Sequence, residues 1–214
     1  MMDIRVPVPA VVRHHIETDD KLWAHLVSLF ISPPIVWGVW VFLIALSVTP
    51  SRPAALIYAA IFTLMVCILP ILFVAAMVRL GRIGDLHMRE SRERYIPYSI
   101  AIIAGILTEI VFLQFGAHPI LVILTLVSIV ELTLMLLATF FNHISLHAMA
   151  ASSMISAAAI LFGFSQSLIF MPMILVVVLA RLVLKRHTAV QIMAGILIGT
   201  LTPFAVIAAL ALVI

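Results

Sequence analysis

Arg181, His187 and Gln191 stand at a boundary between two strongly apolar segments, with Lys185 and Arg186 beside them. An arginine and a histidine at this spacing can share one phosphate. The guanidinium grips two oxygens in a fork, and an imidazole nitrogen can attack phosphorus. If a helix starts near His187, Gln191 lies one turn on along the same face. Its amide oxygen could then accept a hydrogen bond from Nδ1–H of His187, fix the tautomer and leave Nε2 as the nucleophile. A basic membrane stop would account for Lys185 and Arg186. It would not account for Arg181, which lies inside an apolar run where a charge is expensive.

Two more polar clusters interrupt the apolar pattern. The first holds Arg82, Asp85, His87, Arg89, Arg92 and Arg94. It reads either as a basic loop touching anionic lipid heads or as a clamp of guanidinium groups on phosphate. The second holds Asn142, His143, Ser145 and His147. A hydroxyl two residues before a histidine, at the start of a span, can set a phosphate donor beside a proton donor.

The elements that must position these groups are membrane helices. The 214 residues are 65% hydrophobic and 10% charged, against about 25% charged in a soluble domain. Apolar runs at 23–48, 54–80, 97–115, 119–141, 147–164, 168–184 and 189–213 approach or exceed the roughly 20 residues that cross a bilayer. Short alternating strands of a barrel are absent from the sequence. The expected fold is an all-α polytopic bundle of about 6–7 spans, by the span lengths, with a polar segment at 1–22 and a single transmembrane domain over 23–214. Pro33 and Pro34 should kink the first span, and the fifth and sixth are short. The polar start does not read as a signal peptide. Cys67 is the single cysteine, and no Cys/His zinc pattern is present.

Of the 12 Lys and Arg residues, Arg52 alone falls on the side opposite the N-terminus when seven spans are counted. The net charge of +3 is therefore largely topological and does not argue for nucleic acid. The positive-inside rule places the N-terminus and the loops near 81–96, 142–146 and 185–188 in the cytoplasm. The expected setting is the plasma membrane of a prokaryote. Two spans separate each polar cluster from the next, so all three should meet on one face.

Taken together, the clusters resemble the type 2 phosphatidic acid phosphatase superfamily, the lipid phosphatases related to vanadium haloperoxidases. The family pattern is K-x6-R-P, then P-S-G-H, then S-R-x5-H-x3-D. Here it reads His87-x6-Arg94, then Ser145 and His147, then Arg181-x5-His187-x3-Gln191. The resemblance covers roughly residues 80–200 and is strongest in the third motif. A branch of small polytopic members with softened motifs is the nearest in pattern. The resemblance implies that His187 attacks phosphorus and forms a phosphohistidine, while His147 protonates the leaving oxygen and then activates water. Arg94, Arg181 and Ser145 would hold the equatorial oxygens. His87, Arg89 or Arg92 would stand in for the family lysine, and Tyr95 replaces the proline after Arg94. Gln191 replaces the final aspartate and would orient the histidine without lending it charge. No metal and no cofactor are implied. The expected substrate is a lipid phosphate or diphosphate, such as polyprenyl phosphate or phosphatidate, reached from the surrounding membrane lipids.

Other function classes use other residues. A non-catalytic lipid-phosphate binder would keep the arginines and tolerate Gln191. A small transporter would use Glu109 and Glu131, carboxyls inside the third and fourth apolar runs, although packing contacts between helices are the simpler role for them. Gly195 and Gly199, with the small residues from Ala148 to Ala159, suit close helix packing. The charge asymmetry makes one prediction about orientation. A reporter fused to the C-terminus should be active on the external side, and a cytoplasmic signal would overturn the assigned topology.

Overall fold

The computed structural model describes residues 21–82 and 91–212, except the side chains of Ser91 and Arg92. The described chain is all helix and turn, with no strand. Five helices are long and apolar enough to cross a membrane, or six if one bent pair counts as a span. The protein is an integral membrane helical bundle, as the composition requires.

The bent pair is α1 (Leu22–Phe30) and α2 (Pro33–Val48), which meet at 43°. Ser32 is extended, and Pro33 and Pro34 open α2 at its first turn, where missing N–H groups cost nothing. α3 (Arg52–Arg79) contains a π-helical turn over Thr63–Ile68. Pro70 follows it. Its ring would crowd the carbonyl four residues back in a regular helix, and the widened turn relieves that clash. α4 (Tyr95–Gln114) and α5 (Pro119–Ala138) pack side by side. α6 (Leu146–Phe162) has only 17 residues, roughly 26 Å of helix against the ~30 Å hydrocarbon core. A turn at Gly163 (φ +99°) leads into α7 (Phe164–Val183), and α8 (Ala189–Ala211) closes the chain. The order of the apolar helices follows the sequence expectation, and α6, the fifth segment, is short as expected, whereas the sixth, α7, is not short but runs to 20 residues.

The tightest contact in the bundle is between α6 and α8. A Cβ on Gly195 would lie 2.5 Å from the Ser145 carbonyl oxygen, and one on Gly199 would overlap the Met149 carbonyl and the Ser152 hydroxyl. These glycines bring the backbones into contact, and Ala148 lies in the same interface. In lipid, where apolar side chains gain nothing by leaving tails for one another, such close packing is a main source of association.

Gly199→Val should therefore lower stability in detergent by about 1–3 kcal/mol, the usual cost of overpacking. Gly38→Ala is the control, because the added carbon would meet only Thr63 at 3.5 Å and should leave the thermal midpoint nearly unchanged. Equal midpoints for the two variants would refute this account of the interface.

Candidate functional site

His187 owes its position to the way α7 ends. The Arg186 N–H donates to the Arg181 carbonyl (3.1 Å) and the Lys185 N–H to the Leu182 carbonyl (2.9 Å). Lys185 has φ +52°. This is the paired-bond helix stop, with the left-handed residue supplied by lysine in place of the usual glycine. It reverses the chain within three residues, so Arg181 in the last turn of α7 and His187 after the turn come to line the same spaces.

α8 then starts immediately. Thr188 is its N-cap, and its Oγ1 accepts from the Gln191 N–H (3.4 Å) while Gln191 Oε1 accepts from the Thr188 N–H (3.0 Å). Gln191 Nε2 donates to Asn142 Oδ1 (3.0 Å). The expectation that Gln191 orients His187 is therefore corrected. The helix begins two residues later than expected, so Gln191 occupies the third helical position and folds back into a reciprocal cap. Its side chain serves the helix start and the 142–145 loop.

The His187 ring is held by a different group. Its Nδ1 lies 3.0 Å from the His143 carbonyl oxygen. A carbonyl can only accept, so Nδ1 carries the proton, and in the neutral ring Nε2 carries the lone pair. The tautomer expected from the sequence is retained with a different acceptor. The His143 ring also lies against that of His187, tilted at 49° with centroids 5.3 Å apart.

Two connected spaces open beside these rings. The outer one, about 630 Å³, is lined by Lys21, His25, Arg94, His143, Arg181 and Lys185 among others, with Arg186, His187 and Gln191 at its edge. The inner one, about 570 Å³, shares His25, Arg94, Arg181, Arg186 and His187 and runs on past Trp37, Cys67, Pro70 and Ala101 to Ser128 and Glu131. Its size falls in the ~300–1,000 Å³ range of small-molecule sites. A cationic mouth thus leads into an apolar channel, which is the shape of an amphiphile with an anionic head.

Arg94 and Arg181 are buried, at 8% and 6% exposure, although each carries a charge that burial penalises. Arg94 caps α4, hydrogen-bonds the Tyr98 side chain, and is pushed below the usual arginine range by burial, with Tyr98 and the Glu93 charge opposing. Stacking of Tyr95 on Phe140 (4.7 Å) pins this corner to the end of α5. Arg181 Nη1 donates to Ser28 Oγ (3.4 Å), and its Nε has no hydrogen-bond partner.

The placements of the other expected residues differ. His147 lines the inner space, and its Nε2 donates to the Ser28 carbonyl (3.0 Å). Ser145 lines neither space. It is fully buried, and its Oγ accepts from the Ala148 N–H (3.4 Å) as the N-cap of α6. The structure does not bring it to the site, because helix initiation uses its hydroxyl. His87 and Arg89 lie outside the described residues. Arg92 lies in the 3₁₀ turn Ser91–Arg94, with its side chain outside the description. Glu109 lines neither space, whereas Glu131 does.

Sequence reasoning missed the contribution of α1. Ser28 meets both Arg181 and His147, and Lys21 and His25 line the mouth. The signal was present as polar residues at 21, 25 and 28, a helical stripe in an otherwise apolar segment. His143 was noted in its cluster, but the role of its carbonyl has no sequence signature. Comparison with protein-family models, with curated proteins and with solved structures returns no match.

His143 and His187 are held below the ordinary value of 6.5, at about 4. For His187 burial is the main cause, followed by the Arg181 charge; for His143 it is burial, then Arg94 and Arg181. As pH falls below 6.5 the unfolded chain takes up protons that the folded site resists. Stability contributed by these neutral rings should fall between about pH 6.5 and 4. Thermal unfolding against pH should show that slope, and His187→Asn, whose amide can replace the Nδ1 donor without titrating, should reduce it.

Proposed function

We propose that this protein is a metal-independent membrane phosphatase acting on lipid phosphates or diphosphates through a phosphohistidine. The observation that carries the reading is the His187 ring. Its Nδ1 is committed to the His143 carbonyl, and Nε2 is left unprotonated in a cavity shared with two buried arginines. The motif resemblance to type 2 phosphatidic acid phosphatases supports it independently of that geometry.

In this reading the lipid enters sideways between helices, head toward the mouth and tail in the apolar channel. Arg181 and Arg94 hold the phosphoryl oxygens as charge moves onto them in the transition state. His187 Nε2 forms the bond to phosphorus as the bond to the lipid oxygen breaks. His147 holds a proton on Nε2 against the Ser28 carbonyl. It passes that proton to the departing oxygen when the oxygen takes the carbonyl's place. The same nitrogen, now basic, draws a proton from water, and the hydroxide formed releases phosphate and restores His187. On the positive-inside distribution, the site faces the cytoplasm.

A second reading, a lipid-phosphate binder without turnover, is favoured by one observation. Gln191 supplies no carboxylate behind His187 and does not touch its ring. Phosphate release in detergent separates the two. His187→Ala should abolish release, vanadate should inhibit, and EDTA should leave the wild type unchanged. Arg181→Ala should lose about 10²–10³-fold, or ~2.7–4 kcal/mol, by comparison with loss of one transition-state donor. Gln191→Asp should not accelerate the reaction, because position 191 faces Asn142 and the helix cap. Tight binding of lipid phosphate with no release from the wild type would establish the binder.

A further inference from the structure

The inner space ends on a group that a plain hydrocarbon tail would not require. Glu131, on α5, is 1% exposed and lines the channel, and neither of its carboxyl oxygens has a hydrogen-bond partner. The Ser153 hydroxyl on α6, outside the channel lining, is its polar neighbour, and Ser128, one turn deeper, lines the channel with its hydroxyl donated to the Leu124 carbonyl (3.0 Å). Buried polar groups in lipid-embedded proteins are ordinarily satisfied, since leaving them bare is costly. A carboxyl so poorly satisfied in the wall of a cavity can take a hydrogen bond from a ligand's polar atoms.

Its depth identifies the ligand. Glu131 is seven residues before the end of α5 at Ala138, about 10 Å along the helix. Arg181 reaches into the same channel from the last turn of α7. A phosphate held at the mouth therefore places near Glu131 the bonds of its lipid that lie within about 10 Å of the head. In an isoprenyl phosphate those bonds carry only hydrocarbon. In a phosphorylated glycerolipid or sphingoid lipid they carry ester, hydroxyl or amide groups. A carboxyl accepts from a hydroxyl or amide and, when protonated, donates to an ester carbonyl.

We infer that Glu131 is a specificity-determining residue, which selects lipid phosphates with a hydrogen-bonding backbone next to the head over isoprenyl phosphates. The inference rests on the proposed lipid-phosphate site and would hold for a binder as well as for an enzyme.

The test measures binding and phosphate release separately, with phosphatidate, a sphingoid-base phosphate and a polyprenyl phosphate as probes in nanodiscs. The wild type should bind at least one of the two polar-backbone lipids about tenfold tighter than polyprenyl phosphate, the effect of one good hydrogen bond. Which of them binds tighter distinguishes an ester from a hydroxyl or amine partner. Glu131→Leu should erase that preference by weakening the polar-backbone lipid alone, and Glu131→Gln should keep most of it. Equal affinities in the wild type would overturn the inference, and so would a preference that survives in Glu131→Leu. Equal weakening of all probes would assign Glu131 to packing and also overturn it. If Glu131→Leu does not fold, the wild-type preference and its retention in Glu131→Gln decide. Selective binding with no phosphate release would sink the hydrolase reading and leave this inference standing. Release without selectivity would do the reverse.

Discussion

The backbone contact between α6 and α8 is the constraint on which the site depends. Gly195 faces the Ser145 carbonyl, and Gly199 faces Met149 and Ser152. That contact runs to the membrane edge, where the Ser145 N–H donates to the Gln191 carbonyl (3.2 Å). The loop before α6 and the turn before α8 are thereby fixed to each other. His143 presents its carbonyl to His187 only because of this. A bulkier pair of helices would separate the two loops by roughly the width of a side chain, and a hydrogen bond of 3.0 Å does not survive such a displacement. Packing in the membrane interior thus sets the tautomer of a ring at its surface.

The second constraint is electrostatic. Arg94 and Arg181 lie largely out of water, near one another and near two histidines whose protonation they oppose. Among the described residues lining the two spaces, Glu131 is the only acid, and it stands deep in the channel. Buried cations are costly, and an anion entering between them would offset part of that cost. The local attraction is stronger than it would be in water. Under the proposed function, the same buried guanidinium groups would hold the charged head of the lipid. α1 completes the arrangement, because Ser28 meets both Arg181 and His147.

Much of this was legible in the sequence, for reasons that particular residues make clear. Span parity follows from composition, so Arg94, His143 and His187 had to meet at one face. The interval from Arg181 to His187 is the length of a helix's last turn plus its stop and reversal, which is why a spacing alone carried the pairing. Pro33 and Pro34 announced the bend between α1 and α2. The misreading of Gln191 came from treating 187 and 191 as helical neighbours. Thr188 and Gln191 carry the capping-box signature, and weighing it would have started the helix at Ala189. Ser145 failed in a related way, since a serine before an apolar run is as good an N-cap as it is a phosphate donor. The His143 carbonyl was beyond reach, because every residue has one and only the tertiary contact selects it.

Behind His187 stands a backbone carbonyl, and that acceptor limits how the ring can work. A carbonyl orients the ring but offers only a partial charge to an imidazolium. Burial first, and then the nearby guanidinium groups, act in the opposite direction and keep the ring neutral. Under the proposed mechanism the neutral ring is the nucleophilic form, so it is already in the state that attack requires. The difficulty comes after the bond to phosphorus forms, when the ring becomes cationic. The compensating charge must then come from the phosphoryl group itself, whose oxygens sit between His187 and the two arginines under the proposed mechanism. Ligand and nucleophile are in this way electrostatically coupled. In that mechanism, near neutral pH, the ring carries positive charge while phosphate screens it from Arg181 and Arg94, and departure of phosphate returns it to the neutral form.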